Sequence, residues 1–247
     1  MALGASRGDV QLVNWGRNLS VHALTRLGRA REANTIVQQM KEDHASRVVG
    51  EAEKIFDLSG FSLQRLALGE LAEARQQAAA VLAAVRKERF LPYFLKTALD
   101  AACEVLLTLL ERADSASGEA ARLRAETSEM VMRLQKFSAL YAMARPRALI
   151  YRGQLSWIRG DKDQAFSSWE RALVLARSSD MPSDLGRAHV EIARHLEAGP
   201  QVAGADRDGH RSNAIELLQK AGASFELQRA EELVSGAAGR PAGRSDA

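Results

Sequence analysis

The sequence has a single cysteine, few aromatic residues and no long apolar run, and each of these shortages excludes a class of protein. Cys103 alone cannot form an internal disulfide bond, so the chain is not a small secreted domain held together by disulfides. The longest apolar stretch, 98–110, contains Asp100 and Glu104 and is too short to cross a bilayer. The N-terminal stretch MALGASRGDVQLVNW does not contain the apolar core of a signal peptide. We therefore expect a cytoplasmic protein that does not enter the membrane.

Motifs for nucleotide binding and catalysis are also missing. The sequence contains no phosphate loop of the form Gly-x-x-x-x-Gly-Lys followed by serine or threonine, no Gly-x-Gly-x-x-Gly and no kinase signature. Cys103 lies among alanine, valine and leucine, which indicates a structural thiol rather than a nucleophile. The histidines are scattered, without the spacing of a helical metal site, at His22, His44, His189, His195 and His210. The sequence thus predicts no catalytic residue, no cofactor and no bound metal.

What the sequence does contain is helix. Alanine, leucine, arginine, glutamate and glutamine dominate, and no alternating run of β-branched residues is typical of a strand. Apolar residues recur at intervals of three and four, and most of the prolines fall where helices would begin or end. This pattern predicts helices at about 9–27, 30–42, 45–67, 71–88, 92–112, 119–142, 146–159, 162–178, 183–197, 209–221 and 224–235.

A short motif recurs in the turns between these helices. In each copy a glycine is followed four residues later by glutamate or glutamine and then by alanine, as in Gly28/Glu32/Ala33, Gly69/Glu73/Ala74 and Gly160/Gln164/Ala165. The second glycine follows the first by 41 residues, and the third follows the second by 91, which is about two periods. A repeated helix–turn–helix unit is typical of solenoids, which usually bind other molecules rather than catalyse reactions.

The stretch 147–177 resembles a tetratricopeptide repeat. Small and large residues fall where that family brings two antiparallel helices into close contact, at Leu149, Gly153, Gly160, Ala165, Trp169 and Ala172. The copies at Gly28 and Gly69 match less well, and 92–142 has two helices without the motif. The resemblance implies an all-α, right-handed helical-hairpin solenoid of about five hairpins with an irregular third unit. We expect it to span residues 1–235 and to be followed by a disordered tail at 236–247.

The runs 151–199 and 214–233 also resemble the C-terminal repeat arm of large bacterial regulators. These include ATP-binding adenylate or guanylate cyclases, kinase-fused ATPases and LuxR-type activators, in which the repeats form a sensing and docking arm and catalysis lies upstream. The resemblance implies a non-catalytic scaffold or sensing arm for protein–protein interaction in a bacterial regulatory system. An alternative is that the chain is the C-terminal, non-catalytic fragment of such a cyclase or ATPase.

In the tetratricopeptide register, the first helix of each unit lines a concave groove. The residues expected to face a partner segment in that groove are Trp15, Asn18, His22 and Arg26 in the first unit and Arg147, Ile150, Gln154 and Trp157 in the best-matched one. Trp157 could instead pack against the following unit, and the sequence leaves both alternatives open.

Charge gives a weak indication of the partner. The net charge is +3, but acidic and basic residues are mixed along most of the chain, which disfavours nucleic acid as the partner. Arg145, Arg152 and Arg159 stand seven residues apart with no acidic residue between them. This helix face is either an ordinary solvated surface or a site for an acidic or phosphorylated partner. We expect a protein or peptide partner, and this face would suit an acidic one.

Overall fold

The computed structural model describes residues 9–46, 49–114, 117–197 and 199–234, and these ranges contain eleven α-helices and no β-strand. The tail predicted at 236–247 lies outside them. Single 3-10 turns, Tyr93–Leu95 and Ala142–Ala144, precede two of the helices. Numbered in chain order, the helices are α1 Val10–Arg26, α2 Ala33–Ser46, α3 Glu51–Ala67, α4 Leu71–Lys87, α5 Lys96–Arg112, α6 Gly118–Leu140, α7 Arg145–Ile158, α8 Lys162–Ser178, α9 Pro182–His195, α10 Arg207–Lys220 and α11 Ser224–Val234.

The helices pair as five consecutive hairpins, from α1–α2 to α9–α10, and α11 follows as a single helix. The all-α helical-hairpin solenoid predicted from the sequence is confirmed. The motif glycines end the first helix of their hairpins in the left-handed conformation, with φ of +73° at Gly28, +79° at Gly69 and +85° at Gly160. After Gly160, the backbone N–H of Asp161 donates to the Ser156 oxygen at 3.0 Å. The recurring motif is therefore a signal for the end of a helix.

The close contact predicted within the α7–α8 hairpin is built from Gly153 and Trp169. The Trp169 side chain is fully buried, and its indole N–H donates to the backbone oxygen of Ile150 at 3.2 Å. A Cβ atom on Gly153 would lie 2.2 Å from Trp169 Nε1, so only glycine leaves room for the indole ring. The next hairpin repeats the device, because a Cβ atom on Gly186 would lie 2.9 Å from Leu218 Cγ.

The helix boundaries differ from the predicted ones for local reasons. The helix predicted to begin at about residue 30 begins at Ala33, because the backbone after Gly28 first forms a turn in which the Glu32 N–H donates to the Arg29 oxygen. The helix predicted from about residue 209 begins two residues earlier. Its start is fixed by Asp206, whose side chain accepts a hydrogen bond from the Gly209 N–H at 2.8 Å.

The odd-numbered helices form the inner layer of the solenoid. Each one from α1 to α9 packs on the next, and the even-numbered helices cover them from outside. At the centre lies α5, in which every residue from 98 to 110 is buried. The last helix, α11, contacts both α9 and α1, so the end of the described chain meets its beginning. We call the side on which the odd-numbered helices face one another the inner surface.

Candidate partner-binding site

Polar side chains on the inner surface form hydrogen bonds from one odd-numbered helix to the next. Asn18 of α1 donates to an Asp57 carboxylate oxygen on α3 at 2.8 Å. Gln154 of α7 donates to Glu191 of α9 at 2.7 Å. The partners are separated by 39 and 37 residues in sequence, so they occupy matching positions in consecutive hairpins. The inner surface is thus a set of contacts between hairpins.

Arg147 of α7 and Asp184 of α9 form a buried ion pair at the same sequence offset. Burial alone would raise the pKa of the Asp184 carboxyl, but Arg147 outweighs that effect and holds the pKa below its usual value. Both side chains are therefore charged at neutral pH. An ion pair sequestered in this way fixes how α9 sits on α7.

Four charged side chains meet at the centre of the inner surface, and we call them the central charge cluster: Arg26 of α1, Glu104 of α5, Arg187 of α9 and Glu226 of α11. A guanidinium nitrogen of Arg26 and one of Arg187 each lie 2.8 Å from the same Glu104 oxygen. Arg26 also pairs with Glu226, which lies 3.4 Å from Arg187. Side chains from four helices therefore bind one another at a single point.

The central charge cluster balances two cations against two anions in a buried place. Burial alone would lower the pKa of the Arg26 and Arg187 guanidiniums, but the carboxylate of Glu104 outweighs burial and raises both pKa values above their usual range. The Glu104 side chain is 1% exposed. Because its charge is removed from solvent, it depends on the two arginines for stabilisation.

Burial corrects the prediction that the sequence-derived site forms an open groove. Five of the eight residues are buried, namely Asn18, His22, Arg147, Ile150 and Gln154. Arg26 is half-buried in the central charge cluster, and Trp15, 37% exposed, packs on Phe94 with ring centroids 5.6 Å apart. The physical reason is that successive odd-numbered helices are in direct contact. Side chains that point away from their own hairpin therefore meet the next inner helix instead of solvent.

The sequence left open whether Trp157 faces a partner in the groove or packs against the following unit, and its surroundings favour the second. Its ring centroid is 6.3 Å from that of Trp169 and 4.1 Å from that of His195 on α9. The structure therefore agrees with the alternative in which Trp157 packs against the following unit. The ring is only half-buried, and it borders a cleft of about 390 Å³ that Arg124 and Arg194 also line.

The sequence interpretation missed the acidic residues that bind the inner arginines, among them Asp184, Glu104 and Glu226. A signal for one of them was present, because Arg147 and Asp184 are oppositely charged and stand 37 residues apart. The pair was overlooked because the turn motif repeats at 41 residues, and hairpins of different length do not keep that spacing. Glu104 and Glu226 carry no such signal, because they reach the cluster from helices that are far apart in sequence.

Three histidines are held neutral by their surroundings. Burial and, after it, the neighbouring Arg26 lower the pKa of His22 to about 3. Burial also lowers the pKa of His195 to about 3. For His189, burial and then His210 lower the pKa to about 4. The Nδ1 atoms of His189 and His210 are 2.8 Å apart, so the two rings cannot both carry a proton there.

These histidines predict a loss of stability in mild acid. They protonate near pH 6.5 in an unfolded chain, whereas in the folded chain they stay neutral down to about pH 4, so the unfolded state binds more protons between these values. The free energy of unfolding should therefore be constant above about pH 6.5 and fall as the pH drops toward 4. For His22 the loss approaches ~2 kcal/mol at about pH 5. Denaturant unfolding at about pH 7.5 and pH 5 measures it. The difference should shrink in His22→Gln, and an unchanged difference would contradict the assignment.

No family model and no curated protein matches this sequence. Among solved structures, the chain is similar to TTC0263, a thermophilic TPR (tetratricopeptide-repeat) protein from Thermus thermophilus. The TM-score is 0.53, with 16% sequence identity, over 90% of this chain and 99% of the other. The fold is tetratricopeptide-like. At this level of identity the likeness concerns the fold alone.

Solenoids of stacked helical repeats present extended concave surfaces that are suited to binding other molecules. Within the described ranges, no helix is both long and apolar enough to cross a membrane. In the same part of the chain, no three histidine, cysteine, aspartate or glutamate side chains are grouped as they would be around a metal ion. The resemblance to the arm of large bacterial regulators remains a prediction.

Proposed function

We propose that this chain is a non-catalytic protein-interaction scaffold of a bacterial regulatory system in the cytoplasm, and that its inner surface receives an acidic helical segment of a partner protein. The observation that supports the proposal is the position of Glu226. This residue belongs to α11, the last helix, and its carboxylate lies between the guanidiniums of Arg26 and Arg187. The chain's own helix thus occupies a place that an acidic helix from another protein would fit.

Two features make α11 replaceable. It is a short helix of 11 residues, and it is a single helix that follows the last hairpin. The inner arginines would not be left unpaired during the exchange, because Glu104 remains bound to both of them. A partner helix with a glutamate in the place of Glu226 would restore the fourth charge of the cluster.

The test uses the charge reversal Glu226→Lys and a labelled peptide with the sequence of residues 223–234. The introduced ammonium group would face Arg26 and Arg187, so like-charge repulsion should release the tethered α11. We expect the peptide to bind Glu226→Lys at least tenfold more tightly than the wild type, whose own α11 competes at a high effective concentration. Glu231→Lys, an exposed charge reversal on the same helix, is the matched control and should behave like the wild type.

Fluorescence anisotropy gives the affinities. A peptide that carries alanine in place of Glu226 should bind at least tenfold more weakly, since it lacks the carboxylate. If Glu226→Lys and Glu231→Lys bind the peptide equally, or if the alanine peptide binds as well as the original, the inner surface is not an acidic-helix site. If the peptide binds as expected, proteins that are captured by Glu226→Lys and displaced by the peptide are the candidate partners.

A further inference from the structure

A groove on the outer side of the solenoid combines unpaired arginines with an apolar floor. It runs between α6, α7 and α8 and has a volume of about 360 Å³. Its lining residues are Gln135, Ser138, Ala139, Arg145, Ala148, Leu149, Arg152, Arg171 and Leu175. We call it the outer basic groove. It uses the face of α7 opposite to Arg147, so it is separate from the inner surface.

None of the three arginines of the outer basic groove is paired with a carboxylate in the described part of the chain. The Arg145 Nε donates to the backbone oxygen of Ser138 at 3.2 Å, and Arg152 donates to the Gln164 side-chain oxygen at 3.1 Å. Arg171 has neither a hydrogen bond nor an ion pair to any described residue. Among the described residues, those that line the groove include no aspartate or glutamate. On the other face of the same helix, Arg147 is neutralised by Asp184, so the outer face alone keeps its charge.

The sequence indicated part of this site and missed the rest. Arg145 and Arg152 were singled out with Arg159, and the first two do share the groove. Arg159 lies outside it and donates to Ser128 Oγ at 2.7 Å. The third groove arginine, Arg171, comes from α8 and stands 19 residues after Arg152, a spacing that no helical period reveals.

The apolar part of the groove favours a peptide as its occupant. Ala148, Leu149 and Leu175 form the floor. Leu140, 70% exposed, follows Ala139 at the end of α6, and Val174, 64% exposed, precedes Leu175 on α8. Both are next in sequence to groove residues, and large apolar side chains this exposed are typical of surfaces that another protein covers.

We infer that the outer basic groove binds an acidic peptide segment of a partner protein, with glutamate or aspartate carboxylates on Arg145, Arg152 and Arg171 and an apolar side chain on the floor between them. A guanidinium donates two parallel hydrogen bonds to a carboxylate, so an exposed arginine without an acidic partner is suited to such a group. Single-stranded nucleic acid is disfavoured, because none of the described residues that line the groove is aromatic and could stack on a base. This inference does not depend on the inner-surface proposal.

The test measures binding of a labelled synthetic peptide in which glutamates flank a central leucine, by fluorescence anisotropy at low salt. The double variant Arg145→Ala/Arg171→Ala should bind it at least tenfold more weakly than the wild type. The matched control is Arg207→Ala/Arg211→Ala, which removes two exposed arginines from α10 and the same net charge. The control should change the affinity by less than about twofold. Both double variants should melt as the wild type does, since the substituted side chains are exposed.

Three comparison probes decide between occupants. A peptide with glutamine in place of each glutamate should lose most of its affinity, whereas a peptide with glutamates but alanine for leucine should lose only part of it. The proposal would be overturned in favour of nucleic acid if an oligonucleotide binds the wild type more tightly than the acidic peptide does and loses that affinity in Arg145→Ala/Arg171→Ala. Equal weakening by the groove variant and by the α10 control would show a general charge effect and would also overturn it. When Arg145→Ala/Arg171→Ala is introduced into Glu226→Lys, the affinity for the residue 223–234 peptide should not change. Failure of one site is therefore distinguishable from failure of the other.

Discussion

Replacing Gly153 with alanine is expected to lower the free energy of unfolding by at least ~3 kcal/mol. Overpacking a core by a methyl group typically costs ~1–3 kcal/mol. Here the new Cβ atom would lie 2.2 Å from Trp169 Nε1, well inside contact distance. The indole ring is fully buried and bonded to the Ile150 oxygen, so it cannot move aside without losing that bond. For a chain of this length the melting temperature should fall by roughly 6–12 °C, as calorimetry or circular dichroism would measure.

The matched control for Gly153→Ala is Gly118→Ala at the start of α6. Apart from its chain neighbours and the backbone of its own helix, no atom of the described residues lies within 4 Å of a Cβ built on Gly118, so the same substitution should be neutral or slightly stabilising there. In the background of Trp169→Leu, which removes the indole ring, Gly153→Ala should lower the free energy of unfolding by less than it does in the wild type. If Gly153→Ala melts like the wild type, the contact between α7 and α8 described here is incorrect.

Replacing Glu104 with glutamine is expected to be similarly costly, at ~3–5 kcal/mol, because it removes one partner of a buried ion cluster. The side chain keeps its shape, but Arg26 and Arg187 would then share Glu226 as their nearest anion. One positive charge would remain uncompensated, and it would fall partly on Arg187, whose side chain is only 8% exposed. Guanidinium chloride unfolding gives the free energy directly.

Glu129 provides the matched control for Glu104. It also binds two arginines, Arg86 and Arg133, but it does so at the surface, where its side chain is 24% exposed. Charge removal by Glu129→Gln should cost about 1 kcal/mol or less, because solvent screens exposed pairs. If the two substitutions lower the free energy of unfolding equally, burial does not increase the contribution of the central charge cluster to stability.

Most of the fold could be predicted from the sequence because local signals carry it. Glycines that end a helix, apolar residues at helical intervals and the small residue opposite Trp169 each act within one hairpin. Their effect does not depend on how the hairpins are arranged. The predicted starts at residues 71 and 162 agree with the structure for this reason.

The candidate site was harder to predict because it depends on the curvature of the whole solenoid. Asn18 and Gln154 were placed correctly on the first helix of their hairpins, yet both are buried and bonded to the next inner helix. The distance between inner helices follows from side-chain volumes summed over many contacts. No motif records that distance, so exposure of an inner position cannot be deduced from its register alone. The contact between Arg26 and Glu226 joins residues that are 200 positions apart, so no local sequence pattern predicts it.

The contact between α11 and α1 changes how such a chain should come apart. In an open array of repeats, the terminal units have one neighbour each, and they fray while the middle stays ordered. Here the turn at Gly28 lies beside Ser224, and Arg26 is bonded to Glu226, so the first and last described helices are neighbours of each other. Loss of either end exposes the buried charges on the other, which couples the two ends thermodynamically. Amide protons of α1 and α11 should therefore exchange with solvent together, as parts of one ring.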